Sequence, residues 1–160
     1  MSRIRPRLEV FNLQGECRLN ARKLARRLRR SLAFLPTGVP KTRAKAKGQS
    51  KLKTELPPAI EISLVSAEAI GQVHAEFLDD PSPTDVITFD HGEILVCPAV
   101  AREQGKAYRR TLEEEVLLYG IHGLLHLLGW SDLTPVKRAS MAREQERIWR
   151  RVLALERAKA

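Results

Sequence analysis

The feature that most constrains the fold is a pair of histidines inside the most apolar run of the chain, residues 116–128. His122 and His126 are four residues apart, so in a helix they lie on one face and both imidazoles can point at one ion. Gly129 then offers a place for the helix to end, after which the chain can bring Asp132 back toward the same point. The pattern predicts a buried helix that carries either a metal site or a packed, hydrogen-bonded histidine pair.

The glycine and the aspartate favour the metal interpretation. Two histidines with a carboxylate are an established ligand set for catalytic zinc, which keeps one coordination position open. We therefore predict one Zn²⁺ per chain on His122, His126 and Asp132, although the same donors also suit other divalent ions. The predicted catalytic group is the water that the metal would activate, and the sequence identifies no catalytic side chain. Glu115 lies seven residues before His122, on roughly the same helical face, and is a candidate to orient a ligand.

Gly123 argues against a peptidase. In zinc peptidases with an HExxH motif, the residue after the first histidine is a glutamate that acts as general base, and glycine cannot accept a proton. Glycine also costs about 1 kcal/mol in a helix interior relative to alanine. Its predicted use is therefore space, with either a substrate chain or a neighbouring strand close to the helix. The remaining histidines, His74 and His91, have no ligand spacing and are not predicted to bind the metal.

Charge is distributed unevenly along the 160 residues, whose net charge is +9. Residues 1–55 contain 16 lysines and arginines against three glutamates, whereas residues 56–160 contain 12 basic and 16 acidic residues. This asymmetry indicates either a polyanionic partner, most often nucleic acid, or simply a solvated surface. The low aromatic content of 5% argues against a stacking platform for single strands.

We expect a cytoplasmic protein. The first residues lack the apolar segment of a secretory signal, and no apolar run reaches the roughly 18 residues of a membrane span. Cys17 and Cys97 have neither metal-site nor disulfide-framework spacing, which favours a reducing compartment.

A basic amphipathic helix is predicted from residue 21 onward, because leucines recur there at helical spacing while arginines fill the other face. The predicted RNA contacts on this face are Arg22, Lys23, Arg26, Arg27 and Arg30. Residues 37–58 follow, with three prolines, two glycines, six lysines and arginines and no aromatic residue. We predict a flexible basic loop there, which either holds RNA loosely or is only a solvated excursion.

The order of the remaining elements predicts one α/β (α+β) domain over residues 1–160. It has a small mixed four-stranded sheet packed with helices and a buried central metal-binding helix. That helix is predicted to begin at a capping box formed by Thr111 and Glu114. The other predicted elements are strands at residues 7–13 and 60–65, a helix capped by Ser66, a hairpin of residues 85–89 and 93–97, a short helix or turn at residues 98–105, and a last helix starting at Thr134-Pro135.

Three motifs resemble those of a known family. The run His122-Gly123-x-Leu125-His126-Leu127-x-Gly129-Trp130-Ser131-Asp132 resembles the HGxLHLxGYDH signature of the YbeY endoribonuclease family. Residues 83–89, PTDVITF, resemble its PTDVLSF stretch, and residues 92–98 are more weakly similar to its GDIxIC strand. With the element order, the resemblance covers roughly residues 6–155 apart from the basic loop.

The resemblance implies a small α/β fold with one zinc held by three side chains. It further implies metal-dependent cleavage of single-stranded RNA in 16S rRNA 3′-end maturation and ribosome quality control, with rRNA and the 30S subunit as partners. The alternative is a ribosome-associated, rRNA-binding assembly factor whose metal is mainly structural. His122 and His126 match the first two family ligands, whereas Asp132 stands where the family has a third histidine. Leu78 stands where the family has an arginine.

Overall fold

The computed structural model describes residues 5–37 and 55–160. This part of the chain forms a mixed α/β domain with four strands, five α-helices and one short 3₁₀ helix. In chain order the elements are β1 (Arg7–Asn12), α1 (Ala21–Ser31), the 3₁₀ helix (Leu32–Phe34), β2 (Ala59–Leu64), α2 (Ala67–Leu78), β3 (Val86–Phe89), β4 (Glu93–Val96), α3 (Pro98–Ala107), α4 (Leu112–Leu127) and α5 (Pro135–Ala158).

The sheet has the strand order β1-β2-β4-β3. β1 pairs with β2 and β2 with β4 in parallel, while β3 and β4 form the predicted antiparallel hairpin. β1 and β3 are therefore the two edge strands, separated by about 14 Å for three strand spacings. The predicted mixed four-stranded sheet is confirmed.

The alternation of side chains along the strands divides the core into two layers. Leu8, Ile62 and Ile94 represent the positions that face α1, α4 and α5, where the larger cluster of buried residues lies. Ile87 and Leu95 lie in a smaller cluster with residues of α2 and of the start of α3. Helices thus cover both faces, as a sheet with parallel strands requires.

α4 is the central helix, and its packing explains its composition. The predicted capping box is present, since the Thr111 hydroxyl accepts from the Glu114 amide and the Glu114 carboxylate accepts from the Thr111 amide. A methyl group at Gly123 would lie 2.8 Å from Ile94 Cγ2 and 3.2 Å from Thr88 Oγ1. Gly123 was predicted to leave space for either a substrate chain or a neighbouring strand. The structure places the strands β3 and β4 there.

The boundaries differ from the predictions in small ways. β1 ends at Asn12, one residue earlier than predicted, and the short helix or turn expected at residues 98–105 is the ten-residue helix α3. Most of the predicted basic loop, residues 38–54, lies outside the described residues. Among the helices that are described, none is both long and apolar enough to cross a membrane.

Candidate metal centre

The predicted ligands converge at the C-terminal end of α4. The Nε2 atoms of His122 and His126 are 2.9 Å apart, and Asp132 Oδ2 lies 3.5 Å from the first and 3.7 Å from the second. One donor atom from each residue falls within 4.8 Å of the others, so the three side chains can hold a metal ion together. All three are partly exposed, which leaves the centre open to the surface.

The end of α4 explains how Asp132 returns to the histidines. Gly129 has a φ of 89°, and its amide donates to the His126 carbonyl, while the Trp130 amide donates to the Leu125 carbonyl. These two bonds form a Schellman motif, in which the residue after the helix takes the left-handed conformation that glycine adopts without strain. The reversal places Asp132 beside the ring nitrogens of the preceding turn.

The histidine rings are oriented through their outer nitrogens. His126 Nδ1 lies 3.0 Å from the Trp130 carbonyl oxygen, and His122 Nδ1 lies 2.7 Å from Gln145 Oε1 of α5. A carbonyl oxygen only accepts, so each Nδ1 carries the proton and donates it. Both Nε2 atoms then present lone pairs to each other and to a carboxylate, an arrangement that a shared cation satisfies and that fits a metal site.

The surroundings favour the neutral form of His126. Burial lowers the pKa of its imidazole below the ordinary value, and the neighbouring His122 lowers it further, whereas Asp132 acts in the opposite direction. A neutral imidazole is the form that binds metal. The structure therefore holds this side chain in its ligand form at neutral pH.

Glu115 does not orient a ligand, so that prediction is wrong. Its carboxylate is 3% exposed and lies 3.5 Å from the Arg110 guanidinium, and burial raises its pKa. The residue that orients His122 is Gln145, which the sequence analysis did not find. Gln145 is 23 residues away on another helix, and nothing in the local pattern marks it.

The centre lies in a groove of about 970 Å³, here called the metal groove, between the β3 edge and helices α2, α4 and α5. Among the described residues, two arginines line it. The Arg110 guanidinium lies 2.9 Å from Glu146 and 3.5 Å from Glu115, and it also packs against the rings of Tyr108 and Trp149. Arg138 has no side-chain ion pair or hydrogen bond within the described residues. Five carboxylates line the same groove: Asp85, Asp90, Glu115, Asp132 and Glu146.

The other two histidines, His74 and His91, and Leu78 lie outside the ligand cluster. His74 lines the metal groove, but its Nδ1 is bound to the Ser82 carbonyl at 2.9 Å. His91 is 3.2 Å from Glu93 and stacks on Phe89. Neither belongs to the ligand cluster. Leu78 is 62% exposed and also lines the groove, so no guanidinium enters from that position.

The predicted basic face of α1 is only partly exposed. Arg22 and Arg26 are exposed, while Lys23 lies 3.3 Å from Glu113 and Arg30 lies 3.6 Å from Glu156. These four residues stay candidates for RNA contact.

The prediction that Arg27 lies on the outer, basic face of α1 is wrong. It is 7% exposed, and its Nε and Nη2 donate to the two Glu156 carboxylate oxygens at 2.9 and 2.7 Å. This bidentate pair joins α1 to α5, so Arg27 serves the packing of the two helices.

The fold and the site together define a small α/β protein with three candidate metal ligands at the end of a buried helix. Residues 36–153, most of the chain, match the family model described as Endoribonuclease YbeY. The chain belongs to the YbeY endoribonuclease family.

Individual relatives agree with this assignment. The chain is 36% identical over 110 residues to the endoribonuclease YbeY of Kineococcus radiotolerans, an alignment that covers 57% of this chain and 64% of the relative. It is 38% identical over 93 residues to the Thermotoga neapolitana protein of the same name, covering 55% of this chain and 62% of the relative. These alignments span less than two thirds of either relative.

A solved structure supports the fold independently. The solution structure of a Thermotoga maritima protein is similar with a TM-score of 0.60 at 24% identity. The similarity covers 95% of this chain and 93% of the other, so it extends over nearly the whole architecture.

Proposed function

We propose that this protein is a zinc-dependent endoribonuclease that cleaves single-stranded RNA at the metal groove. The observation that carries the proposal is the convergence of two imidazole nitrogens and one carboxylate oxygen at an open position. Both outer ring nitrogens are already engaged, so the inner ones are left for a cation. The family assignment supports RNA as the substrate class.

The chain's own residues have separable roles in this proposal. His122, His126 and Asp132 hold the ion, and the Trp130 carbonyl and Gln145 fix the rings that present the nitrogens. When bound, a divalent zinc ion supplies Lewis-acid activation of water and neutralises charge near the scissile phosphate. Gly123 has no side chain that could accept a proton, so it cannot act as the base.

Arg138 is the residue proposed to meet the substrate phosphate in this groove. A groove lined by carboxylates repels a polyanion unless cations offset them. Arg110 is held by two glutamates, whereas the Arg138 side chain has no acidic partner within the described ranges. Arg138 lies on the same face of α5 as Gln145, because residues seven positions apart in a helix share a face. An unpaired guanidinium in the same groove as the proposed metal ligands is suited to bidentate phosphate contact.

We further propose that the cellular substrate is the 3′ end of 16S rRNA in the 30S subunit, with action in rRNA maturation and ribosome quality control. Family membership and the basic first third of the chain support this assignment. Mapping of 16S rRNA 3′ ends in a strain that lacks the gene tests it. Unprocessed 3′ ends that return to normal when wild type, but not His122→Ala, is restored are the expected result.

The biochemical test begins with protein purified without added metal. Elemental analysis is expected to give about one zinc per chain, and a single-stranded oligonucleotide is expected to be cleaved internally. EDTA treatment should abolish cleavage, and zinc should restore it. Cleavage that survives complete metal removal would refute the proposal. Tight RNA binding without any cleavage by the zinc-loaded protein would instead favour the assembly-factor alternative, in which the metal only holds the fold.

A further inference from the structure

A second groove lies at the other edge of the sheet and shares no lining residue with the metal groove. It has a volume of about 880 Å³ and runs between β1 and α1, with Leu155 of α5 at one side. We call it the basic groove. Five arginines line it, Arg5, Arg22, Arg26, Arg29 and Arg30, and Glu9 is the one carboxylate among its described lining residues.

Several of these arginines are available to a ligand. Arg22 and Arg26 are exposed and make no side-chain ion pair or hydrogen bond to the part of the chain that the structure describes. Arg29 donates through Nε to the Leu8 carbonyl at 3.0 Å, which leaves its terminal nitrogens for other partners. Glu9, the opposing charge, lies 3.5 Å from Arg7. The groove is therefore strongly positive and suited to phosphates.

Aromatic surface accompanies this charge. Phe11 of β1 is 40% exposed and Phe34 is half-buried, and both line the basic groove. The Arg151 guanidinium lies 4.8 Å from the centre of the Phe34 ring, a cation–π contact. The low aromatic content argued against a stacking platform, but the structure places the exposed Phe11 ring beside these arginines. This combination binds single-stranded nucleic acid, because phosphates meet the charges and a base stacks on the ring.

From these observations we infer that the basic groove is an RNA-binding site separate from the place of cleavage, and that it takes single-stranded RNA. The inference rests on the proposed RNA substrate and adds where most of the binding affinity arises. α5 connects the two sites, because Gln145 and Leu155 are ten residues apart, or about 15 Å along a helix. This separation is within the reach of one RNA strand of several nucleotides.

The test measures RNA binding by fluorescence anisotropy in EDTA, where proposed cleavage does not occur. The probe is a 20-nucleotide single-stranded RNA, measured over a range of salt concentrations. The double variant R22Q/R26Q is expected to bind about tenfold more weakly than wild type. The slope of log affinity against log salt should fall by about 1.4, because about 0.7 is lost for each phosphate contact to a single strand.

The matched control is R18Q/R143Q. Both residues are exposed, neither lines the metal groove or the basic groove, and neither has a side-chain partner within the described ranges, so this variant removes the same charge from elsewhere. Its affinity and salt slope are expected to remain within about twofold of wild type. Phe11→Thr keeps a strand-forming residue and should weaken binding about tenfold through lost stacking, with little change in salt slope.

Equal losses in R18Q/R143Q and R22Q/R26Q would overturn the inference, because affinity would then follow net charge alone. An unchanged salt slope in R22Q/R26Q would overturn it too, as would preferential binding of duplex RNA, an acidic peptide or anionic vesicles. Circular dichroism and thermal unfolding of each variant identify those that fail to fold. Because binding is measured without metal, loss of the proposed nuclease activity would leave the result interpretable. RNA binding without cleavage would refute only the proposed function.

Discussion

The two grooves at opposite edges of the sheet differ in charge and in how tightly their side chains are committed. Among the described residues, the metal groove is lined by five carboxylates and two arginines, and one of those arginines is held by two glutamates. The described lining of the basic groove has five arginines and one glutamate. The four phenylalanines of the chain divide between them, with Phe77 and Phe89 in the first and Phe11 and Phe34 in the second.

RNA binding and metal-dependent cleavage place opposite electrostatic requirements on a site. A site that holds a divalent cation needs carboxylate and neutral imidazole, which attract RNA poorly before the metal is present. A site that holds RNA needs unpaired cations, which would repel the metal. The proposed metal site and the proposed RNA site lie at separate edges of one sheet, an arrangement that would satisfy both requirements, and α5 contributes residues to both grooves.

Loss of a metal ligand should distinguish the roles of the two grooves most clearly. His122→Ala removes one of three ligands, so we expect loss of bound zinc and a fall in RNA cleavage of at least about 10³-fold. RNA affinity in EDTA should stay within about twofold, because the basic groove is untouched. Elemental analysis, single-turnover cleavage and anisotropy measure the three quantities. Cleavage that stays within tenfold of wild type would mean that the metal groove does not carry the chemistry.

The next effect tests whether Gln145 is part of the metal centre. Gln145→Leu removes the acceptor for the His122 Nδ1 proton, and we expect zinc affinity to fall about 10- to 100-fold. Gln145→Glu keeps an acceptor at the same place and should retain most of the affinity. Competition with a chromophoric chelator gives both values. Equal affinity in the leucine and glutamate variants would show that the hydrogen bond does not tune the metal.

The convergence of His122, His126 and Asp132 could be predicted from the sequence, whereas the contact of Gln145 with His122 could not, for a physical reason. His122, His126 and Asp132 lie within eleven consecutive residues, and helix periodicity followed by a glycine turn is enough to bring them together. Gln145 reaches His122 only because α5 packs along α4. Local pattern determines the first arrangement, and tertiary packing determines the second.

Helix α1 shows the same limit of prediction from local sequence. Arg26 and Arg27 are adjacent and look alike in the sequence, yet one is exposed and the other is buried against Glu156. The partner lies 129 residues away, so no local pattern distinguishes the two arginines. The sheet was easier to predict, since short alternating segments and a glycine-containing hairpin turn define strands locally.

An intermediate effect tests the charge balance of the metal groove. Arg138→Ala should reduce kcat/KM for RNA about tenfold, because it removes the guanidinium that we propose contacts the phosphate. Arg143→Ala is the control, since Arg143 is exposed on the same helix but lines neither groove. Zinc content should be unchanged in both variants. Equal cleavage by the two variants would remove Arg138 from the proposed mechanism.

The smallest expected effect distinguishes arginines that stabilise the fold from arginines that contact RNA. Arg27→Gln breaks the bidentate pair with Glu156 and should lower the free energy of unfolding by about 1 kcal/mol, since Arg30 remains 3.6 Å from that carboxylate. Its RNA salt slope should match wild type. Arg26→Gln should lower the salt slope of RNA binding and leave the free energy of unfolding nearly unchanged. Urea unfolding and anisotropy measure the two quantities.

The pH dependence of the Arg27 effect provides a further check. The hydrogen bond from Arg27 lowers the pKa of Glu156 below its ordinary 4.5 in the folded protein. A carboxyl group with a lowered folded pKa contributes stability that is present above its ordinary pKa and lost as pH falls through the folded value. The stability difference between wild type and Arg27→Gln should therefore be full at pH 7 and shrink below pH 4.5. A difference that stays constant into acid would show that Arg27 stabilises the helices through packing of its side chain, not through its charge.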